Sequence, residues 1–311
     1  MILFWETVNH ILPVFLIIFL GIFLNRLGFF SPVTKDEIVK LVYYVGTPAL
    51  LFHTVATADL YQHFEPALVI FLLCAILCYV ALLILICSFI KDKKKKGAVI
   101  QLGFRSNFAI VGMPLAMNLM AQDGVLMTAI SLAFVTICYN VTAVILLSYY
   151  GKSEQRVSAF LRDVLKNPLI VGTLLGLVVS LCRIPLPVVL EKSLSFAGNI
   201  ATSMGLLIIG ASITISGFQK NASYIFFALF LRNVLAPILF LGGAILMGFR
   251  GDMLIITAIL SATPAAVNCF VMAKKLGVDE DISAYGVSLS ALLSIVSVLG
   301  SVFLLKLFAL A

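Results

Sequence analysis

Residues Ala67–Ile90 run for 24 positions without a charge. A helix crosses the hydrocarbon core of a bilayer with about 20 apolar residues, so this run is long enough to span. The rest of the chain is built in the same way. Of 311 residues, 62% are hydrophobic and 11% are charged, against roughly 25% charged in a soluble domain. That excludes a water-facing globule, which would lack the polar surface to cover itself. It excludes disorder for the opposite reason, because the chain is too apolar to stay solvated. A membrane β-barrel would show short alternating segments. Continuous runs instead predict helices, which satisfy every backbone polar group within one segment. The expected fold class is therefore an all-α integral membrane protein.

The hydropathy pattern places helical spans at 7–27, 36–57, 66–90, 97–121, 124–148, 164–183, 188–215, 221–249, 251–275 and 282–308. The first is too long for a signal peptide and lacks a small-residue cleavage site. With the N-terminus outside, fifteen Lys and Arg fall in inside loops and four in outside segments; the other two, Arg105 and Arg232, lie within spans. Cytoplasmic loops carry the excess of Lys and Arg, so both termini are expected outside a cell membrane. The net charge of +7 is then a consequence of topology. Lys91–Lys96 reads as an anchor beside anionic lipid headgroups rather than as a nucleic-acid site.

Ten spans around the polar segment Tyr150–Asp163 divide into five and five. Features recur in order. Pro13 precedes Gly21 at the same spacing as Pro168 precedes Gly176, Gly97 and Gly251 open spans four and nine, and Pro114 and Pro264 lie inside those spans. An odd number of spans per half makes the halves enter from opposite sides, which is the inverted-repeat plan of many secondary transporters.

Spans four and nine also carry the densest polar chemistry. One reads Arg105-Ser-Asn-Phe-Ala-Ile-Val-Gly-Met-Pro-Leu115 and the other Leu260-Ser-Ala-Thr-Pro-Ala-Ala-Val-Asn-Cys269. Proline removes a backbone donor and frees a carbonyl. At membrane depth such a break survives only inside protein or beside a water-filled cavity. Paired interrupted spans point to a transport site, and half-helix N-termini aimed at the midplane suit an anion. All fourteen acidic residues fall at span ends or in loops, which disfavours cation exchange. Arg105 either snorkels to the inner face or serves the site. Arg232 either lines the site or braces a half-helix carbonyl end. Asn140 and Asn199 are equally suited to interhelical hydrogen bonds or ligand contact.

Other signals read as structure. Cys74, Cys78, Cys87, Cys138, Cys182 and Cys269 lie in apolar runs and lack the ligand set zinc needs, so no metal or cofactor is expected. No phosphate-binding loop or zinc-protease motif occurs, so an enzyme is not expected. Gly172-Thr-Leu-Leu-Gly176 predicts close helix packing within the chain rather than a dimer seam. His53 and His63 read as interfacial polar residues.

Several motifs carry a resemblance across essentially the whole chain. They are Leu12-Pro-Val-Phe-Leu-Ile-Ile-Phe-Leu-Gly21, Gly46-Thr-Pro-Ala-Leu-Leu-Phe-His53, Asn107-Phe-Ala-Ile-Val-Gly-Met-Pro-Leu115, and Thr263-Pro-Ala through Phe270-Val-Met-Ala273. The chain resembles the auxin efflux carrier family, the bacterial relatives of plant PIN-type carriers. The resemblance implies ten transmembrane helices in two inverted five-helix repeats, with broken crossover helices 4 and 9, a plan similar to that of bile-acid symporters. It implies a scaffold domain over 1–65 and 150–219 (spans one, two, six and seven). It also implies a transport domain over 66–149 and 220–311 that moves as an elevator, and a homodimer. It puts a substrate-site role on Asn107, Pro114 and Pro264. Bacterial relatives are linked to malate, malonate and similar carboxylates. The chain departs from plant members in its short central linker and at Leu51 and Asn268, which weighs against auxin itself.

The expected function is secondary transport of small organic anions, carboxylates or auxin-like acids, by alternating access. The candidate substrate-binding residues are Asn107, Gly112, Pro114, Thr263, Pro264, Asn268, Arg232 and Asn140. A Na⁺-coupled symporter, a passive channel and a non-transporting sensor are the rival readings.

Overall fold

A computed structural model describes residues 2–57, 64–151, 168–213 and 218–311. His63 and most of the predicted linker lie outside the described residues. The helices are α1 (Ile2–Arg26), α2 (Pro32–Ala56), α3 (Pro66–Ile86), α4 (Lys93–Phe104), α5 (Phe108–Leu119) and α6 (Gln122–Tyr150), then α7 (Pro168–Leu181), α8 (Val188–Ala211), α9 (Gln219–Leu246), α10 (Asp252–Ala262), α11 (Asn268–Leu276) and α12 (Glu280–Leu307). Among the described residues there is no strand; one isolated antiparallel bridge joins Ser106 to Ala265.

Seven of these helices, α1, α2, α3, α6, α8, α9 and α12, are long and apolar enough to cross a membrane. The chain is therefore a multi-pass membrane protein. The sequence predicts ten spans. The difference has two sources: the fourth and ninth segments are each split into two short helices, and α7 is described only from Pro168.

Local chemistry sets the helix ends. The Asp92 carboxylate accepts the backbone N–H groups of Lys94 and Lys95, capping α4. Ser31 caps α2 ahead of Pro32, and Asp279 caps α12 through the Ile282 N–H. Capping oxygens satisfy donors that a helix start leaves open. Within α2, α5 and α9 a widened π turn precedes a proline: Val42–Gly46 before Pro48, Phe108–Gly112 before Pro114, and Leu231–Leu235 before Pro237. A proline ring clashes with the carbonyl four residues back, and widening the turn relieves that clash. In α9 the loosened carbonyls find outside partners. The Ser297 hydroxyl of α12 donates to the Asn233 carbonyl at 2.7 Å, and the Tyr79 hydroxyl of α3 donates to the Leu231 carbonyl.

Two tight helix pairs flank the centre. Gly172 and Gly176 of α7 lie against the α2 backbone, where an added Cβ would sit 2.7 Å from the Pro48 carbonyl oxygen and 2.9 Å from that of Phe52. The Gly-x-x-x-Gly motif thus packs within the chain. On the other side Gly21 of α1 meets the Leu207 carbonyl of α8, and Gly210 of α8 meets the Ile18 carbonyl of α1. Helices approach this closely only where no side chain intervenes.

Candidate functional site

The two broken segments meet at the centre of the protein. α4 stops at Phe104, and α10 stops at Ala262. In the second case the cause is local. A residue before proline is pushed out of the helical region, and Thr263, before Pro264, has φ −64° and ψ 155°. In the first case no proline is involved: Arg105 turns extended (φ −85°, ψ 103°), nine residues before Pro114. Pro114 instead sits just behind the π turn of α5, so its sequence-based role as the breaker of span four is corrected.

The two extended stretches hold each other. The Asn107 N–H donates to the Pro264 carbonyl at 2.7 Å, and the Ala266 N–H donates to the Arg105 carbonyl at 3.0 Å. The Ser290 hydroxyl of α12 accepts the Ala265 N–H at 2.8 Å. Backbone groups exposed by the breaks are thereby satisfied, as a low-dielectric interior requires.

Four half-helix ends converge here, and the protein treats them in two ways. The carbonyl ends of α4 and α10 carry partial negative charge. Arg232, 2% exposed, reaches them from the π turn of α9. Its Nε donates to the Thr263 carbonyl at 3.0 Å, Nη1 to that of Phe104 at 3.2 Å, and Nη2 to those of Leu260 and Ser261 at 2.7 and 2.8 Å. The starts of α5 and α11 instead face a cavity. At any helix start the first N–H groups lack partners within the helix.

That cavity is bounded on one side by Arg105, Ser106, Asn107, Phe108, Ala109, Ile110 and Ala266–Asn268, and by Leu132, Thr136 and Tyr139 of α6. On the other side stand Val39, Val42, Tyr43 and Thr47 of α2 and Ile208, Ile209 and Ser212 at the end of α8. Its unfilled space, open solvent at the mouth included, is about 830 Å³. Arg105 is 5% exposed and has neutral partners: its Nη2 donates to the Asn140 Oδ1 at 2.6 Å, and Nη1 points to the Met272 sulfur. Asn107 is also 5% exposed, and its side-chain Nδ2 has no partner. A fixed positive charge and an idle buried donor thus share one cavity. An unmade hydrogen bond at a buried donor costs about 1–3 kcal/mol.

Of the eight predicted site residues, Asn107 and Asn268 line the cavity. Asn140 stands one step behind, holding Arg105. Pro264, Thr263 and Arg232 build the crossing: Pro264 accepts the Asn107 N–H, and Thr263 presents its carbonyl to Arg232. The Thr263 hydroxyl is buried and without a partner. Gly112 is a packing position, where a Cβ would fall 2.6 Å from the Phe108 ring. The Pro114 carbonyl accepts the side-chain N–H of Asn118. Sequence reasoning left Arg105 unassigned and missed Tyr43, Thr47, Thr136 and Ser212. Arg105 had a signal, a charge inside a span. The others are hydroxyl residues in apolar helices and carry no local signal.

A family model described as "Membrane transport protein" matches residues 7–302. The chain belongs to the auxin efflux carrier family. The "Putative malonate transporter" of Rhizobium meliloti (strain 1021) is 22% identical over 308 residues, covering 97% of this chain and 96% of the relative. Two Arabidopsis thaliana proteins, "Auxin efflux carrier component 3" and "Auxin efflux carrier component 2", are 26% and 28% identical over 140 residues. Those matches cover 43% of this chain and 22% of each plant protein. This family member is accordingly a membrane transporter whose relatives point to organic anions.

Proposed function

We propose that this chain is a secondary carrier of small carboxylates with ten membrane crossings in two inverted halves. Its substrate site is the cavity at the crossing. Arg105 supplies the charge, Asn107 and Asn268 supply side-chain amides, and the starts of α5 and α11 add the partial positive charge of helix N-termini. The carrying observation is the Arg105 guanidinium, buried among neutral partners and lining the same cavity as Asn107, whose amide nitrogen has no partner. A malonate-like dianion fits that electrostatic environment, and the name of the Rhizobium relative supports the same class.

Helix pairing supports the inverted repeat. α1 packs on α8 as α7 packs on α2, and these pairs are equivalent when the first five spans are laid on the second five. In this reading α1, α2, α7 and α8 form the scaffold, and α3–α6 with α9–α12 form the moving body, an arrangement that serves elevator-type alternating access in a homodimer. The termini face outward. The cavity is lined by the first half of α2 and the last turn of α8, which lie on the lysine-rich inner side. The conformation is then inward-facing.

The test is direct binding by the purified protein in detergent. Malonate is expected to raise the wild-type melting temperature saturably. Asn107→Ala is expected to weaken that effect at least roughly tenfold, since one hydrogen bond to a charged group contributes about 1.5–3 kcal/mol. Equal responses in folded wild type and variant would remove Asn107 from the site.

A further inference from the structure

Arg232 does something a kink-bracing side chain need not do. Its guanidinium gathers the carbonyl oxygens of Phe104, Leu260, Ser261 and Thr263, from the ends of two different helices, within 2.7–3.2 Å. No carboxylate belongs to this cluster. Four backbone carbonyls at the negative ends of two half-helices, with the Tyr139 hydroxyl also hydrogen-bonded to the guanidinium, form a shell of neutral oxygens that suits a small alkali cation. In transporters with discontinuous helices, such carbonyl ends hold the coupling Na⁺. Here a covalently attached cation occupies the same chemical position.

We propose that Arg232 is a built-in replacement for a coupling cation. It fills a monovalent-cation site behind the crossing, and this makes the carrier independent of Na⁺. Removing the guanidinium uncovers a site that takes Na⁺ or free guanidinium. The inference rests on the carrier reading for the word coupling, but the cage exists whatever the protein transports. It also bears on the Na⁺-coupled rival, since a filled cage leaves no room for the ion at that position.

The geometry favours this over a purely structural tie. Arg232 is fully enclosed, and a buried charge needs compensation by several dipoles. Four carbonyls supply it: Leu260 and Ser261 in the last turn of α10, Thr263 just past it, and Phe104 at the end of α4. On the cavity side Arg105 directs its charge at neutral side chains, not at helix carbonyl ends. A tie without cation character would work equally well through Gln, and no free ion would substitute for it.

The experiment uses the full-length protein in detergent with no organic anion present, so its outcome does not depend on transport. Wild type, Arg232→Ala and Arg232→Lys are heated in choline chloride, with NaCl, KCl or guanidinium chloride titrated at constant ionic strength and guanidinium kept at low millimolar levels. The expected result is no saturable cation effect on wild type or Arg232→Lys. Arg232→Ala is expected to melt at a lower temperature and to recover by a saturable shift with Na⁺ or guanidinium. A folded Arg232→Ala protein that ignores both ions overturns the proposal, as does saturable Na⁺ stabilisation of the wild type. If Arg232→Ala does not fold in choline, purification in guanidinium or Na⁺ is the second arm: recovery of folded protein supports the proposal, and failure in every cation overturns it. Loss of malonate binding with the cation result intact would strike only the substrate reading.

Discussion

Arg105 and Arg232 are both buried cations deep in their segments, and their surroundings separate them. Arg105 meets an amide oxygen and a sulfur beside open space, whereas Arg232 directs its N–H groups at four backbone carbonyls. Exchanging each for Gln should therefore give opposite results. Arg105→Gln is expected to weaken malonate binding roughly 10–100-fold, the loss of a charge-assisted contact of about 1.5–3 kcal/mol, with little change in melting temperature. Arg232→Gln is expected to lower the melting temperature, because each orphaned buried carbonyl costs about 1–3 kcal/mol. Binding titrations and thermal melts on the same preparations check both. The sequence showed both arginines as anomalous charges. It could not show which helix poles they would meet, because Arg232 lies 28–128 positions from its partners.

At the scale of elements, the breaks in the fourth and ninth segments look alike in sequence and differ in cause. Pro264 ends α10 by restricting Thr263. The break after Phe104 is held from outside, by the exchange of backbone hydrogen bonds with residues 264–266. Pro114→Ala is therefore expected to leave the crossing intact and to keep most transport. Pro264→Ala frees Thr263 to continue the helix and is expected to reduce transport much more. Initial rates in proteoliposomes, at matched levels of folded protein, decide the order. The span positions, the helical class and the polar content of both segments were legible because hydropathy and proline chemistry are local. The exact break at Arg105–Asn107 was not, because tertiary hydrogen bonds make it. Tyr43 and Thr47 escaped notice for a related reason: only the packing of α2 against the crossing turns them toward the cavity.

For the whole molecule, the tight pairs α1–α8 and α2–α7 frame one wall of the cavity and the crossing forms the opposite wall. Motion of one wall past the other would carry a bound anion between the two sides. In the proposed orientation the cavity faces the lysine-rich side, so a probe on that face should reach it. In a background with the native cysteines replaced, Ser212→Cys is expected to react with a membrane-impermeant thiol reagent applied from the inner side only. Ser212 is exposed at the end of α8, close to the cavity mouth. Labelling from the outer side alone would reverse the orientation.

Counterflow of labelled malonate in proteoliposomes tests the carrier reading most directly, with wild type beside Asn107→Ala and with NaCl or choline chloride outside. Accumulation driven by internal unlabelled malonate, equal in both salts and strongly reduced in Asn107→Ala, is the predicted result. Accumulation that requires Na⁺, or that is unchanged by Asn107→Ala, would contradict it.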